Sequence, residues 1–253
     1  MTGAAALLAT ILLASVPVKG KGKPAAGKGK AAPASSDSSS SESRGVPHPE
    51  SVGDYFDAVD YAMDADEYAA AERIAREGSG HFPQAVGFHL LIGDALAARG
   101  KMWDAFFEYQ WEALRVGPER PSGAEAQAKA GQILENGRGT DVDELRVIVQ
   151  AVEQTDADPA ASAATLARFA ERRPCFVIDV LLAEAEAKAG RNADAINVYR
   201  ELIRRDEFFV PAYVELGELL EKAGKAQEGK ALVAKARGID PDHWRLKGAS
   251  DAP

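Results

Sequence analysis

Few side chains of this sequence have the type and spacing that chemistry requires, and those few do not converge. His48, His81, His89 and His243 are scattered, and no HExxH, GxSxG, CxxC or glycine-rich phosphate loop is present. Cys175 has no second cysteine with which to form a bridge or a thiolate metal site. It follows Pro174 at an expected helix start, where the helix dipole lowers a thiol pKa, but with no paired histidine its simpler role is to pack as a small apolar residue. No catalytic residue, metal site or cofactor is therefore expected. What remains is charge at a regular spacing. Asp60 and Asp94 are 34 residues apart, and so are Glu184 and Glu218. Carboxylates repeated in this way suit recognition of a basic or neutral segment rather than bond-making.

The wider charge distribution agrees. The chain of 253 residues carries a formal net charge of −9, yet its first fifty residues hold six Lys/Arg against three Asp/Glu, leaving the rest near −12. An acidic folded part argues against nucleic acid as its partner, because such binding neutralises phosphates with cations. A protein or peptide is the expected partner.

The N-terminus divides from the rest by composition. Residues 1–18 contain the uncharged run GAAALLATILLASVPV, shorter than the roughly 18–20 residues needed to cross a bilayer. A signal peptide is the first reading and a retained signal anchor the alternative, since lysines 19, 21, 23, 28 and 30 follow the run directly. Residues 19–50, rich in Lys, Gly, Pro and Ser, cannot bury enough apolar surface to fold and are expected to be a disordered linker. The chain is expected to be exported to the periplasm or cell envelope. The alternative is an inner-membrane anchor with the remainder cytoplasmic.

From residue 51 to 243 apolar residues recur at spacings of three and four, with glycine or proline breaks, which predicts an all-α region of about eleven antiparallel helices. Residues 244–253 are expected to be a flexible tail. The segment is self-similar: LLAEAEAKAGRNADAINVYRELIRRD from Leu181 aligns with ELGELLEKAGKAQEGKALVAKARGID from Glu215. Gly190 and Gly224, Asp206 and Asp240, Asp66 and Gly100, and Ala71 and Ala105 are each 34 apart.

This pattern resembles the tetratricopeptide repeat (TPR) family, whose units are helix–turn–helix pairs of about 34 residues. The family's helix A pattern matches Ile92–Gly93, Leu182–Ala183 and Leu216–Gly217. Its small helix B residue matches Ala71, Ala105 and Ala195, with Gly229 in the last unit. Tyr109 and Tyr199 match the large residue that follows, and Pro83 and Pro241 the closing proline, with Pro118 displaced by one and Glu207 in its place in one unit. Four units match, at about 52–85, 86–119, 176–209 and 210–243, while Glu119–Arg173 departs from the pattern. The resemblance implies a right-handed α-solenoid with a concave binding face.

The resemblance also places Asp60, Asp94, Glu184 and Glu218 at the helix A position that looks onto that face. Members that clamp a terminal carboxylate carry lysine four residues earlier. Here Phe56, Leu90, Val180 and Val214 stand there, so the polarity is reversed and a basic or neutral segment is the expected guest. A solvated acidic face without a guest is the competing reading.

One helix stands apart. Lys101–Val116, KMWDAFFEYQWEALRV, holds five aromatic residues. At about 100° per residue, Phe106 and Tyr109 fall on the face expected to meet its own helix A. Trp103, Phe107 and Trp111 form a second stripe, and Asp104, Glu108, Glu112 and Arg115 fill a polar strip. Packing of that stripe against the small-residue segment SGAEAQAKAGQIL is the first reading. An exposed aromatic surface, used by an assembly accessory of a cell-envelope complex, is the alternative.

Overall fold

The computed structural model describes residues 49–247. The signal-peptide or anchor expectation for 1–18 and nearly all of the linker expected over 19–50 lie outside the described residues, as do residues 248–253. The described residues are all-helical, with no strand among them. They form α1 (Val52–Asp64), α2 (Tyr68–His81), α3 (Phe88–Ala98), α4 (Met102–Val116), α5 (Pro121–Asn136), α6 (Thr140–Glu153), α7 (Pro159–Arg172), α8 (Phe176–Lys188), α9 (Asn192–Arg205), α10 (Val210–Lys222) and α11 (Ala226–Ile239). A 3-10 turn, Trp244–Lys247, closes the series.

Local chemistry sets the boundaries. Ser51 starts α1 with a capping box, its hydroxyl accepting from the Asp54 amide while the Asp54 carboxylate accepts from the Ser51 amide at 2.8 Å. Asp158 caps α7 by accepting from the Ala161 amide, with Pro159 preset in the first turn. The turns from the first to the second helix of each pair need a left-handed residue, and Gly100, Gly190 and Gly224 supply it with φ of 74°, 80° and 80°. In the first pair Asp66 takes that place at φ 58°.

Within each pair the small residues sit at the helix crossing. Ala71, Ala105 and Ala195 are fully buried. In the last pair Gly217 and Gly229 approach so closely that a Cβ on either would press into the backbone oxygen of the other. Gly93 makes room for the Tyr109 ring in the same way. The packing is thus that of an α-solenoid built from helix pairs, in which residues 34 apart repeat one contact.

The stack does not stay one-dimensional. Besides its neighbours α3 and α5, helix α4 also touches α6, α8 and α10. The irregular middle, α5 to α7, bends the array so that its two halves close onto α4. That helix is consequently buried nearly all round. Glu112 is 0% and Arg115 7% exposed, while Asp104 stays exposed. The strip expected to be polar is thus largely interior.

The tail expected to be flexible from residue 244 is, over 244–247, an ordered 3-10 turn. Leu246 is buried and packs with Val210, Tyr213, Val214 and Ala236 of the last pair. That apolar contact fixes the turn.

Candidate partner-binding face

The four carboxylates expected to line one groove have different surroundings. Asp60 on α1 is exposed. Asp94 on α3 accepts from the Tyr109 hydroxyl at 2.8 Å and holds Lys129 of α5 with both oxygens at 2.7 Å. Around Lys129 the desolvation that opposes its charge is outweighed by Asp94 and Glu125, so its pKa is raised. Glu184 on α8 is buried, with Lys188 3.8 Å away, whereas Glu218 on α10 is exposed and 3.9 Å from Lys222. Three carboxylates of the row therefore lie beside one of the chain's own cations, and Asp60 and Glu218 face solvent.

The residue that joins Glu184 is Glu215, three positions before Glu218. Repeat register says which residues are equivalent, not which meet. Where α4 meets α8 and α10, Glu184, Glu215 and Tyr199 line a small site filled by Trp244 and Arg245. Arg245 is ion-paired with Glu215, and its charge also acts on Glu184. Burial pushes the Glu184 carboxyl up to about 7, against the pull of Arg245 and Lys188. One of its oxygens, Oε1, has no hydrogen-bond partner.

The turn that delivers Arg245 is anchored on the end of α4. His243 is fully buried; its Nε2 donates to the Arg115 carbonyl at 2.9 Å and its Nδ1 accepts from the Arg245 amide at 3.2 Å. Both ring nitrogens are used by the neutral form, and burial pulls the imidazole down to about 4. The Trp244 indole donates to the Leu114 carbonyl at 3.3 Å and covers Gly117, where a Cβ would overlap the ring. Arg120 pairs with Asp240 at 2.7 Å, and Lys247 with Glu119. Nothing in the helical periodicity pointed to these residues; the one signal was a His-Trp-Arg run just past the last repeat.

The aromatic stripe of α4 is not a free surface. Trp103 is 3% and Phe107 5% exposed. The rings also meet aromatic and cationic side chains of α7, its C-terminal cap and α8. Trp103 meets Phe169 at 5.9 Å with the Arg173 guanidinium 3.9 Å over its ring. Trp111 is stacked between His89 and Phe176, each 4.1 Å away. The bend brings the second half of the chain onto this stripe, so its rings are packed, as the first reading expects, and the alternative of an exposed surface at Trp103, Phe107 and Trp111 is corrected.

Beside the stack lies an open cleft of about 400 Å³, reached by Arg76, Asp104, Arg173 and Cys175. Its cations are already engaged, Arg76 with Glu108 at 3.1 Å and Arg173 with Asp141 at 2.8 Å. At Cys175 burial outweighs the donation from the Val177 and Ile178 amides and pushes the thiol up to about 12. The helix start therefore does not activate it. Among the described residues no group of three or more His, Cys, Asp or Glu is placed to hold a metal ion, and no helix is long and apolar enough to cross a membrane.

No protein-family profile matches the chain. A curated relative, Cellulose synthase 2 operon protein C of Komagataeibacter xylinus, is 33% identical over 166 residues, which is 64% of this chain. The chain spans only 12% of that relative's length. A solved structure, that of MamA protein, is similar over 79% of this chain and 96% of its own, at 16% identity and a TM-score of 0.31.

Proposed function

We propose that this chain is a protein-interaction scaffold whose acidic inner face binds a basic segment of another protein. The observation that carries this reading is that Asp94 and Glu215 each hold a cationic side chain of the chain itself, with Glu184 buried beside Arg245. A face that pairs with internal lysine and arginine has the chemistry to pair with external ones, and the exposed Asp60 and Glu218 extend it. Charges of this kind steer encounter and select partners more than they set affinity.

The test is binding of a defined Lys/Arg-rich peptide and its Asp/Glu-rich counterpart by fluorescence anisotropy. Wild type should bind the basic peptide selectively, with affinity falling as salt rises. Asp60→Lys with Glu218→Lys should abolish that binding at an unchanged melting temperature, because both positions are exposed. Equal binding by the double variant would refute the reading.

A second reading is favoured by the partial match to a protein named for a cellulose synthase operon. In that reading the chain is an exported accessory in the assembly of a cell-envelope complex. The N-terminal apolar run supports export, and the Lys/Ser segment would serve as a tether. Fractionation of the native source with intact-mass measurement tests it: a mature form lacking about the first twenty residues supports export, and an intact chain in the membrane fraction supports the anchored alternative.

A further inference from the structure

The site between α4, α8 and α10 is already occupied by a short segment of this chain that carries an aromatic residue followed by arginine. We propose that Asp240–Lys247 is an intramolecular ligand, a displaceable plug, and that the partner it stands in for presents an aromatic residue followed by arginine. The inference rests on the reading of the inner face as a protein-binding surface and adds the guest's chemistry and a means of control.

Three observations carry it. The first is the fit: Trp244 covers Gly117, Arg245 meets Glu215 and approaches Glu184, and the space left open is only about 10 Å³. The second is that the site has more acceptor capacity than the plug supplies donors. Two carboxylates face one guanidinium, and the buried Glu184 Oε1 has no hydrogen-bond partner. A guest with one further donor would satisfy the site better than the chain's own segment does. The third is the attachment. The segment is a turn beyond Pro241, held by the buried Leu246 and His243 and by ion pairs at its rim. Its rim contacts, Arg120–Asp240 and Lys247–Glu119, are partly or fully exposed ion pairs of the kind that contributes little.

A tethered ligand competes at an effective concentration on the order of millimolar. A free segment of the same sequence therefore binds the intact chain weakly and a plug-deficient chain well. The probe is the labelled peptide DPDHWRLK, titrated against the full-length chain and against full-length chain carrying Trp244→Ala and Arg245→Ala. The expected result is at least about tenfold tighter binding by the double variant, lost when the peptide's arginine is replaced by glutamate. Equal binding by both proteins would overturn the plug. So would a double variant that binds a generic Lys-rich peptide but not this one, an outcome that leaves the scaffold reading intact. Binding of neither peptide would overturn both.

Hydrogen exchange on the wild-type chain keeps the inference testable if the variant fails to fold. The Arg245 and Leu246 amides, which donate to His243, should exchange at least about a hundredfold faster than the core amides of α10, by local opening. Exchange of both sets at one rate would mean the turn opens only when the whole protein unfolds, and the plug would be refuted.

Discussion

His243 and Arg115 lie 128 residues apart in sequence, and the imidazole Nε2 of the first donates to the carbonyl of the second. The same turn sets the Trp244 indole on Gly117, whose φ is 94°. Gly117→Ala therefore acts twice: it strains a left-handed residue, at about 1–2 kcal/mol, and it pushes the indole off its seat. The expected result is a melting temperature lower by several degrees and faster tryptic cleavage after Arg245. An unchanged cleavage rate would show that the turn does not depend on this seat.

Glu184 gives a prediction with a definite pH window. Its carboxyl titrates near 7 in the folded chain and at an ordinary carboxylate value when unfolded, so the folded state binds the extra proton. The stability associated with that proton is present below the unfolded value and is lost as pH rises through about 7. Glu184→Gln removes the cost of the buried charge. It should stabilise the protein at pH 8 by about 3.5 kcal/mol at most, taking about 1.4 kcal/mol per pKa unit, and by almost nothing at pH 4. Thermal melts at the two pH values check this, and equal shifts at both would reject a buried charge as the cause.

His243 works in the opposite direction. Its pKa is near 4 folded and ordinary when unfolded, so its contribution is present above about 6.5 and is lost as pH falls through about 4. Between roughly pH 4.5 and 6.5 the two residues offset each other, and these two groups give the wild-type melting temperature little slope there. In Glu184→Gln only the histidine term remains. The variant's melting temperature should then fall on acidification through that window, while wild type stays nearly flat.

The helical pairs were legible in the sequence because each is a local pattern: a period of 34, small residues at the crossings, and a glycine where the chain must turn left-handed. The bend was not legible. It arises because α4 is apolar on two faces, and a second apolar face has to be buried against something distant. Periodicity shows that Trp103 and Trp111 form a stripe, but not that Phe169 and Phe176, sixty or so residues later, cover it. The surroundings of the acidic row were not legible for a similar reason. Asp94 and Glu184 are equivalent by register, yet each found a different cation, and Glu215, outside the row, shares a site with Glu184. The turn at 244–247 is too short for any periodic signal, and its partners lie more than a hundred residues upstream.

Trp111 separates the two readings of the aromatic helix. Sandwiched between His89 and Phe176 with both ring faces covered, it joins the two halves of the chain through α4. An exposed partner anchor could be truncated with little effect on stability, since isolated surface substitutions fall within about 0.5 kcal/mol. A ring packed on both faces leaves a cavity, and Trp→Ala substitutions of that kind cost about 3–5 kcal/mol. Trp111→Ala should therefore lower the melting temperature by roughly ten degrees, at about 2–4 °C per kcal/mol for a chain of this size. Phe176→Ala should have a comparable effect, and the double variant should cost less than the sum, because the second truncation removes a contact already lost. Strict additivity in that cycle would mean that the two rings do not stack, and α4 would no longer be the element that holds the halves together.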